Sequence, residues 1–303
     1  ANLENGVLTV KGNGKIGKEE GCISGTPSAD ATTDAFHYAY REMTGDVEIT
    51  AKVESISSVD NHAFAGIMVR EELTEDAASA ILGLSWTKTD EQVGIPWSIY
   101  LTGRESKGAN MPNLADPLDW WDKPADAEKQ GIVLRPSIKF KNGATELGYW
   151  IRLVRKGNDF TAYCSADGKS WELMGTKTIE MKETVYIGFA ADSNRAANDI
   201  EQVNTARFSN IQIGTEIFDI KYELENMTAP NAPKTVLNGS DIMVSLAATE
   251  GYKVPETVQV VIGNADPIEI KVESTDPMAG TLVVQNVTGT VTIIGKAEID
   301  KTG

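Results

Sequence analysis

The sequence predicts an all-β protein in two parts: a larger antiparallel sandwich over residues 1–214 and a small β domain over residues 215–303. Three observations carry this prediction. Apolar and polar residues alternate with a period of two in one segment after another. No amphipathic stretch longer than about two helical turns is present. The alternating segments are bounded by Gly, Asn and Asp, which turn a chain between strands. A length of 303 residues also exceeds what one ordinary core needs.

In chain order, strands are predicted at 6–11, 36–41, 46–54, 63–71, 80–87, 97–105, 149–156, 160–165, 185–191 and 205–213. The segment 46–54 has the clearest pattern. Val47, Ile49, Ala51 and Val53 point one way and Glu48, Thr50, Lys52 and Glu54 the other, so one side is core and the other water. Residues 106–146 break the rhythm with Pro112, Pro117, Pro124 and Pro136, a run of acidic residues and the pair Trp120-Trp121. They read as a long inserted loop that folds over its own sandwich, its adjacent tryptophans packed against something. In Ser165-Ala166-Asp167-Gly168-Lys169-Ser170-Trp171 the Asp side chain is expected to bond the amides of a hairpin turn. Beyond Ile213-Gly214 tryptophan vanishes, and short β-branched strands are predicted at 242–246, 258–262, 268–272, 281–284 and 291–294.

Composition excludes some functions. With 28 Lys and Arg against 44 Asp and Glu, the formal charge is −16, which opposes a phosphate-backbone ligand, so nucleic acid is not expected as a partner. No apolar run approaches the roughly 18–20 residues of a bilayer span, and no basic-then-apolar leader opens the sequence. The chain is expected to be soluble. Its acidic, Thr-, Asn-, Gly- and Asp-rich composition resembles bacterial secreted modules, so an extracellular location is expected. The two cysteines, Cys22 and Cys164, fit either one bridge or two buried thiols.

Four segments, 66–70 (Gly-Ile-Met-Val-Arg), 149–158, 163–171 and 186–190 (Tyr-Ile-Gly-Phe-Ala), follow Phe36-His37-Tyr38 and 45–49 in a particular order. Together they resemble the concanavalin-A-like jelly-roll modules of the DUF1349 type, which accompany bacterial polysaccharide-degrading enzymes. The resemblance covers most of residues 30–213. It implies a two-sheet jelly-roll sandwich and association with glycans rather than any particular reaction. Downstream, 251–255 and 287–293 resemble the Ig-like modules of bacterial surface and secreted proteins, which implies a small Ig-like sandwich acting as a spacer.

Alternation also proposes a ligand-binding face. Arg70, then Tyr100 with Thr102 and Arg104, then Trp150 with Arg152, all oppose apolar neighbours on their own strands. Flat rings stack on the apolar faces of sugars and arginine forks pair with carboxylates, so a face of this kind points to an acidic polysaccharide. Trp97, Trp120 and Trp121 join it as further stacking candidates. The alternative is that each arginine answers a local carboxylate such as Glu71, Glu72 or Glu105. His37 and His62 stand in no triad or metal-ligand order. Acids are too plentiful to nominate a glycosidase pair, and no catalytic residue is proposed. Calcium is the expected ion, with oxygen ligands on offer at 58–61 and 192–194, though both stretches also read as ordinary turns.

The sequence therefore points to a non-catalytic carbohydrate-binding or glycan-associated module of a secreted bacterial protein. Its partners would be a polysaccharide and neighbouring catalytic domains of a longer parent chain. The alternatives are a glycoside hydrolase or polysaccharide lyase, and a structural or adhesive surface protein.

Overall fold

The computed structural model describes residues 1–18, 32–57, 63–86, 96–111, 133–139, 146–193 and 201–300. Among these, every regular element is a strand, and no helix is long and apolar enough to cross a membrane. The chain divides into two compact units: Ala1–Cys164 with Met174–Ile213, and Ser165–Leu173 with Gly214–Gly303.

The first unit is built from β1 (Asn2–Glu4), β2 (Val7–Gly12), β3 (Lys15–Lys18), β4 (Thr33–Ala35), β5 (His37–Thr44), β6 (Val47–Ile56), β7 (Phe64–Arg70) and β8 (Ser79–Trp86). It continues through β9 (Pro96–Arg104), β10 (Val133–Lys139), β11 (Glu146–Lys156), β12 (Asp159–Ser165), β13 (Glu172–Thr178), β14 (Thr184–Asp192) and β15 (Asn204–Gly214). One sheet runs β1-β2-β15-β6-β11-β12-β13 and the other β10-β9-β8-β7-β14-β5. The ribbon of β3 and β4 stands apart from both sheets.

The alternation predicted for 46–54 sends Val47, Ile49, Ala51 and Val53 of β6 into the core between the sheets. Its other side is not all water, because Glu48 and Thr50 are buried as well, Glu48 against Arg152. Ile67 and Val69 of β7, Ile151 and Leu153 of β11, and Ile187 of β14 enter the core too. Each such Val, Ile or Leu stabilises the fold by about 1.5–3 kcal/mol relative to leaving it in water. Phe189 of β14 and Phe208 of β15 join the two sheets with ring centroids 4.6 Å apart. The β1–β2 hairpin turns through Asn5 and Gly6 at φ 50° and 76°, the left-handed pair that matches the twist of its strands.

One expectation needs correction. Residues 106–146 are not a single structureless insertion, because β10 within them pairs antiparallel with β9. Pro136 favours a loop when only the local sequence is considered. It sits where the register shifts between Arg135 and Ile138, on the outermost strand of the sheet, a position where a missing amide costs no ladder bond. Periodicity also missed β13, an edge strand with weak alternation. Trp120, Trp121 and Cys22 lie outside the described residues, while Cys164 is fully buried in the sandwich core.

The second unit packs two sheets over its own core, which includes Val244, Val260, Leu282 and Ile293. Its five-stranded sheet orders Thr235–Leu237, Ile217–Glu225, Val291–Lys296, Thr257–Ile262 and Ile268–Lys271. Ile217–Glu225 and Val291–Lys296 run parallel. The four-stranded sheet orders Met227–Thr228, Ile242–Ala248, Ala279–Val284 and Glu273–Asp276. In the hairpin tip Ser165–Leu173, Asp167 Oδ1 accepts the amides of Lys169 and Ser170 at 2.7 and 2.8 Å, the turn chemistry expected of that motif.

Candidate functional site

The outer face of the six-stranded sheet collects most of the chemistry in the first unit. Strand register sets Arg70 beside Ser79 and Ser79 beside Arg104, with Gly83 beside Tyr100 two rows further along the same face. Arg70, Tyr100 and Arg104 therefore share one face. Trp150 and Arg152 do not join them. They lie on β11 in the seven-stranded sheet, opposite Lys52 and Thr50 of β6, so the single face inferred from sequence is two faces on opposite sides of the sandwich. Alternation fixes a side chain's side of its own strand, but the sheet to which the strand belongs is decided by pairing between distant segments.

The arginines of the first face are turned inward. Arg70 is 2% exposed and Arg104 is 0% exposed. Arg70 Nη1 donates to Asp34 Oδ2 at 2.5 Å and Arg104 Nη2 to Asp34 Oδ1 at 2.7 Å. Asp34 also accepts the amide of Gly17 at 2.8 Å, so the β3–β4 ribbon is clipped to the sheet through this carboxylate. Arg70 Nη2 continues to the carbonyl of Thr74 at 2.6 Å and Arg104 Nη1 to that of Ala109. The Arg70 guanidinium lies 5.2 Å from the centre of the Phe36 ring. The alternative that arginines answer carboxylates is thus correct in kind, but the partner is Asp34 and not Glu71, Glu72 or Glu105. Glu72 is held instead by Lys107 at 2.8 Å and Lys182 at 2.5 Å, whose hydrogen bonds and charges bring its carboxyl down to about 2.

Tyr100 is buried in a second apolar cluster with Phe64, Met68 and Ile81, and its ring centroid lies 5.8 Å from that of Phe64. Burial, and then the charge of Asp192, push its phenol well above the usual range. Beneath this cluster the glycines are obligatory, since a Cβ on Gly83 would stand 2.3 Å from the Phe64 ring. On the other sheet, Arg152 Nη2 donates to Glu48 Oε2 at 2.7 Å and its guanidinium lies 4.8 Å from the centre of the Tyr163 ring. Burial pushes the Glu48 carboxyl up against the opposing pull of Arg152. Trp150 is half-buried, and the backbone of Trp97 pairs with Trp86 and Ile138.

One group of outward aromatics escaped the sequence reading. Ala39 and Met43 of β5 pack toward the inner core, which turns Tyr38, Tyr40, Glu42 and Thr44 outward. The register with β14 sets Ala190 opposite Tyr38, Gly188 opposite Tyr40 and Tyr186 opposite Glu42. Tyr38 and Tyr40 stack with centroids 5.1 Å apart and planes 30° apart, and Tyr40 meets Tyr186 edge-on at 5.5 Å and 85°. Phe36 extends the row at 5.8 Å from Tyr38. The Tyr38 hydroxyl lies 2.8 Å from the carbonyl oxygens of both Met68 and Tyr186, so that ring is anchored from below. Tyr40 remains 49% exposed. The signal is present in sequence as Phe36-x-Tyr38-x-Tyr40, aromatics at every second residue of the strand expected at 36–41, of which Tyr38 and Tyr40 lie on β5.

Of the calcium candidates, Asp192 accepts the amide of Ile16 through Oδ2 at 3.0 Å, while residues 58–62 and Asn194 lie outside the described residues. Among the described residues no group of three or more His, Cys, Asp or Glu is placed to hold a metal ion.

Two antiparallel sheets packed over one shared core define the first unit as an all-β two-sheet sandwich. No family model and no curated protein matches the chain. Among solved structures it is similar to a functionally unknown protein from Saccharomyces cerevisiae, at 14% identity over 71% of this chain and 90% of that one, with a TM-score of 0.46. It is also similar to the xylan beta-1,4-xylosidase from Bacillus halodurans C-125, at 11% identity over 68% of this chain and 33% of that one, TM-score 0.40. A third is the exoplasmic/lumenal domain of VIP36 in its Ca2+/Man3GlcNAc-bound form, at 8% identity over 59% of this chain and 78% of that one, TM-score 0.36.

Proposed function

We propose that this chain is a non-catalytic glycan-binding module that holds a polysaccharide against the outer face of its six-stranded sheet. The observation that carries this reading is Tyr40, half-exposed yet braced between Tyr38 and Tyr186. A ring already fixed in place loses little rotamer freedom when a ligand lands on it. An aromatic surface is also the natural partner for the C–H face of a pyranose. A single site of this kind binds weakly, so its use is to tether neighbouring catalytic domains to their substrate or to act by repetition. In this reading the module belongs to an extracellular bacterial protein of the DUF1349 kind, and the second unit is an Ig-like spacer. The acidic composition and the order of the motifs support that setting.

The test is affinity electrophoresis through gels containing dissolved polysaccharides, with calcium and with chelator. The wild type is retarded by at least one of them, and Tyr40→Ala weakens that retention about tenfold or more, equivalent to about 1.4 kcal/mol, with unchanged thermal unfolding. Retention undiminished in Tyr40→Ala removes the tyrosines from the site. Loss of retention in chelator identifies a calcium requirement. Release of reducing sugar or unsaturated product on prolonged incubation replaces the binding module with a hydrolase or a lyase.

A further inference from the structure

Resting on the tyrosine platform just proposed, we infer that it selects neutral polysaccharide and rejects polyuronate and sulfated chains. Among the described residues, three cations on or beside this face, Arg70, Arg104 and Lys182, are already committed to carboxylates of the chain. Arg70 is the register neighbour of Tyr186, but its guanidinium is buried and directed to Asp34 and the Thr74 carbonyl. Arg104 is buried against the same carboxylate. Lys182, two residues before Thr184, is bound to Glu72. Arg41 alternates to the other side of β5 from Tyr40, opposite Ile187.

Beside the rings the face offers an acid and hydroxyls. Glu42 is exposed next to Tyr186, and the Thr44 and Thr184 hydroxyls lie 2.9 Å apart one row further along. Gly188, opposite Tyr40, raises no side chain beside the exposed ring. A carboxylate accepts strong hydrogen bonds from sugar hydroxyls but repels a sugar carboxylate or sulfate. The formal charge of −16 on the chain adds a long-range repulsion of the same sign. Stacking surface, hydroxyl-directed acceptor and unfavourable potential toward anions together fit a hydroxyl-rich, uncharged chain.

The experiment sets gels containing a neutral β-glucan, a neutral xylan or a galactomannan beside gels containing alginate, polygalacturonate or a sulfated galactan, each at low and high salt. The wild type is expected to be retarded by a neutral polymer independently of salt and to pass the acidic ones unhindered. Glu42→Gln weakens neutral retention about tenfold, the size of one charge-assisted hydrogen bond, while Glu42→Lys gains salt-sensitive retention on the acidic polymers. Salt-sensitive retention of the wild type on an acidic polymer, lost in Tyr40→Ala, overturns the neutral selectivity and leaves the platform standing. No retention on any polymer overturns the platform, and this inference with it.

Discussion

Asp34 receives two guanidinium groups and a backbone amide in a region from which water is excluded. Burying three charges is costly unless each is answered, and the cost of removing one falls on those left behind. Asp34→Ala is therefore expected to lower unfolding stability in urea by about 3–5 kcal/mol, because two buried arginines lose their shared carboxylate. A change below about 1 kcal/mol, the value of an exposed pair, would mean that the ribbon is not held through this residue. That Arg70 and Arg104 each oppose the apolar side of their own strand was legible from alternation. Their partner was not, because Asp34 lies 36 and 70 residues away and nothing local marks it. Tyr40 is the converse case. Its outward side was readable from Phe36-x-Tyr38-x-Tyr40, but the bracing that makes it a platform needs β14 alongside.

Among the elements, the Asp167 turn that follows β12 was the most fully readable from sequence, although the strand β13 beyond it was not. Burial alone would raise the Asp167 carboxyl, but the amides of Lys169 and Ser170 and the hydroxyls of Ser165 and Ser170 outweigh it and hold the pKa below the ordinary Asp value. A carboxyl with a depressed folded-state pKa contributes stability that is present above its unfolded value, about 3.9, and lost as pH falls through the folded value. Thermal unfolding of the wild type and Asp167→Asn should therefore differ at neutral pH and converge on acidification below about pH 4. A difference that persists unchanged into strong acid would show that the carboxylate's charge is not what braces the turn. β10 marks the limit of such local reading. Its proline argued for a loop, and only its place at the sheet edge, with a register shift to accommodate it, makes a strand there tolerable.

At the scale of the molecule, each unit closes its own core, and in the first unit Phe189 and Phe208 hold the two sheets together. Phe208→Ala removes a fully buried ring from that junction and is expected to cost about 3–5 kcal/mol, read as a lowered urea midpoint. A loss under about 1.5 kcal/mol would mean that the inter-sheet space collapses around the gap. The sequence by itself determined the all-β class, most strand positions and which residues share a side of their own strand, since a period of two is written into neighbouring residues. Only the tertiary structure decided that Trp150 and Arg152 belong to a different sheet from Arg70, Tyr100 and Arg104, and that the arginines turn inward to Asp34. It likewise brought Tyr186 to Tyr40. The reason is that strand pairing is chosen by the burial of many distant apolar faces at once, and no local pattern encodes which strand will be the neighbour.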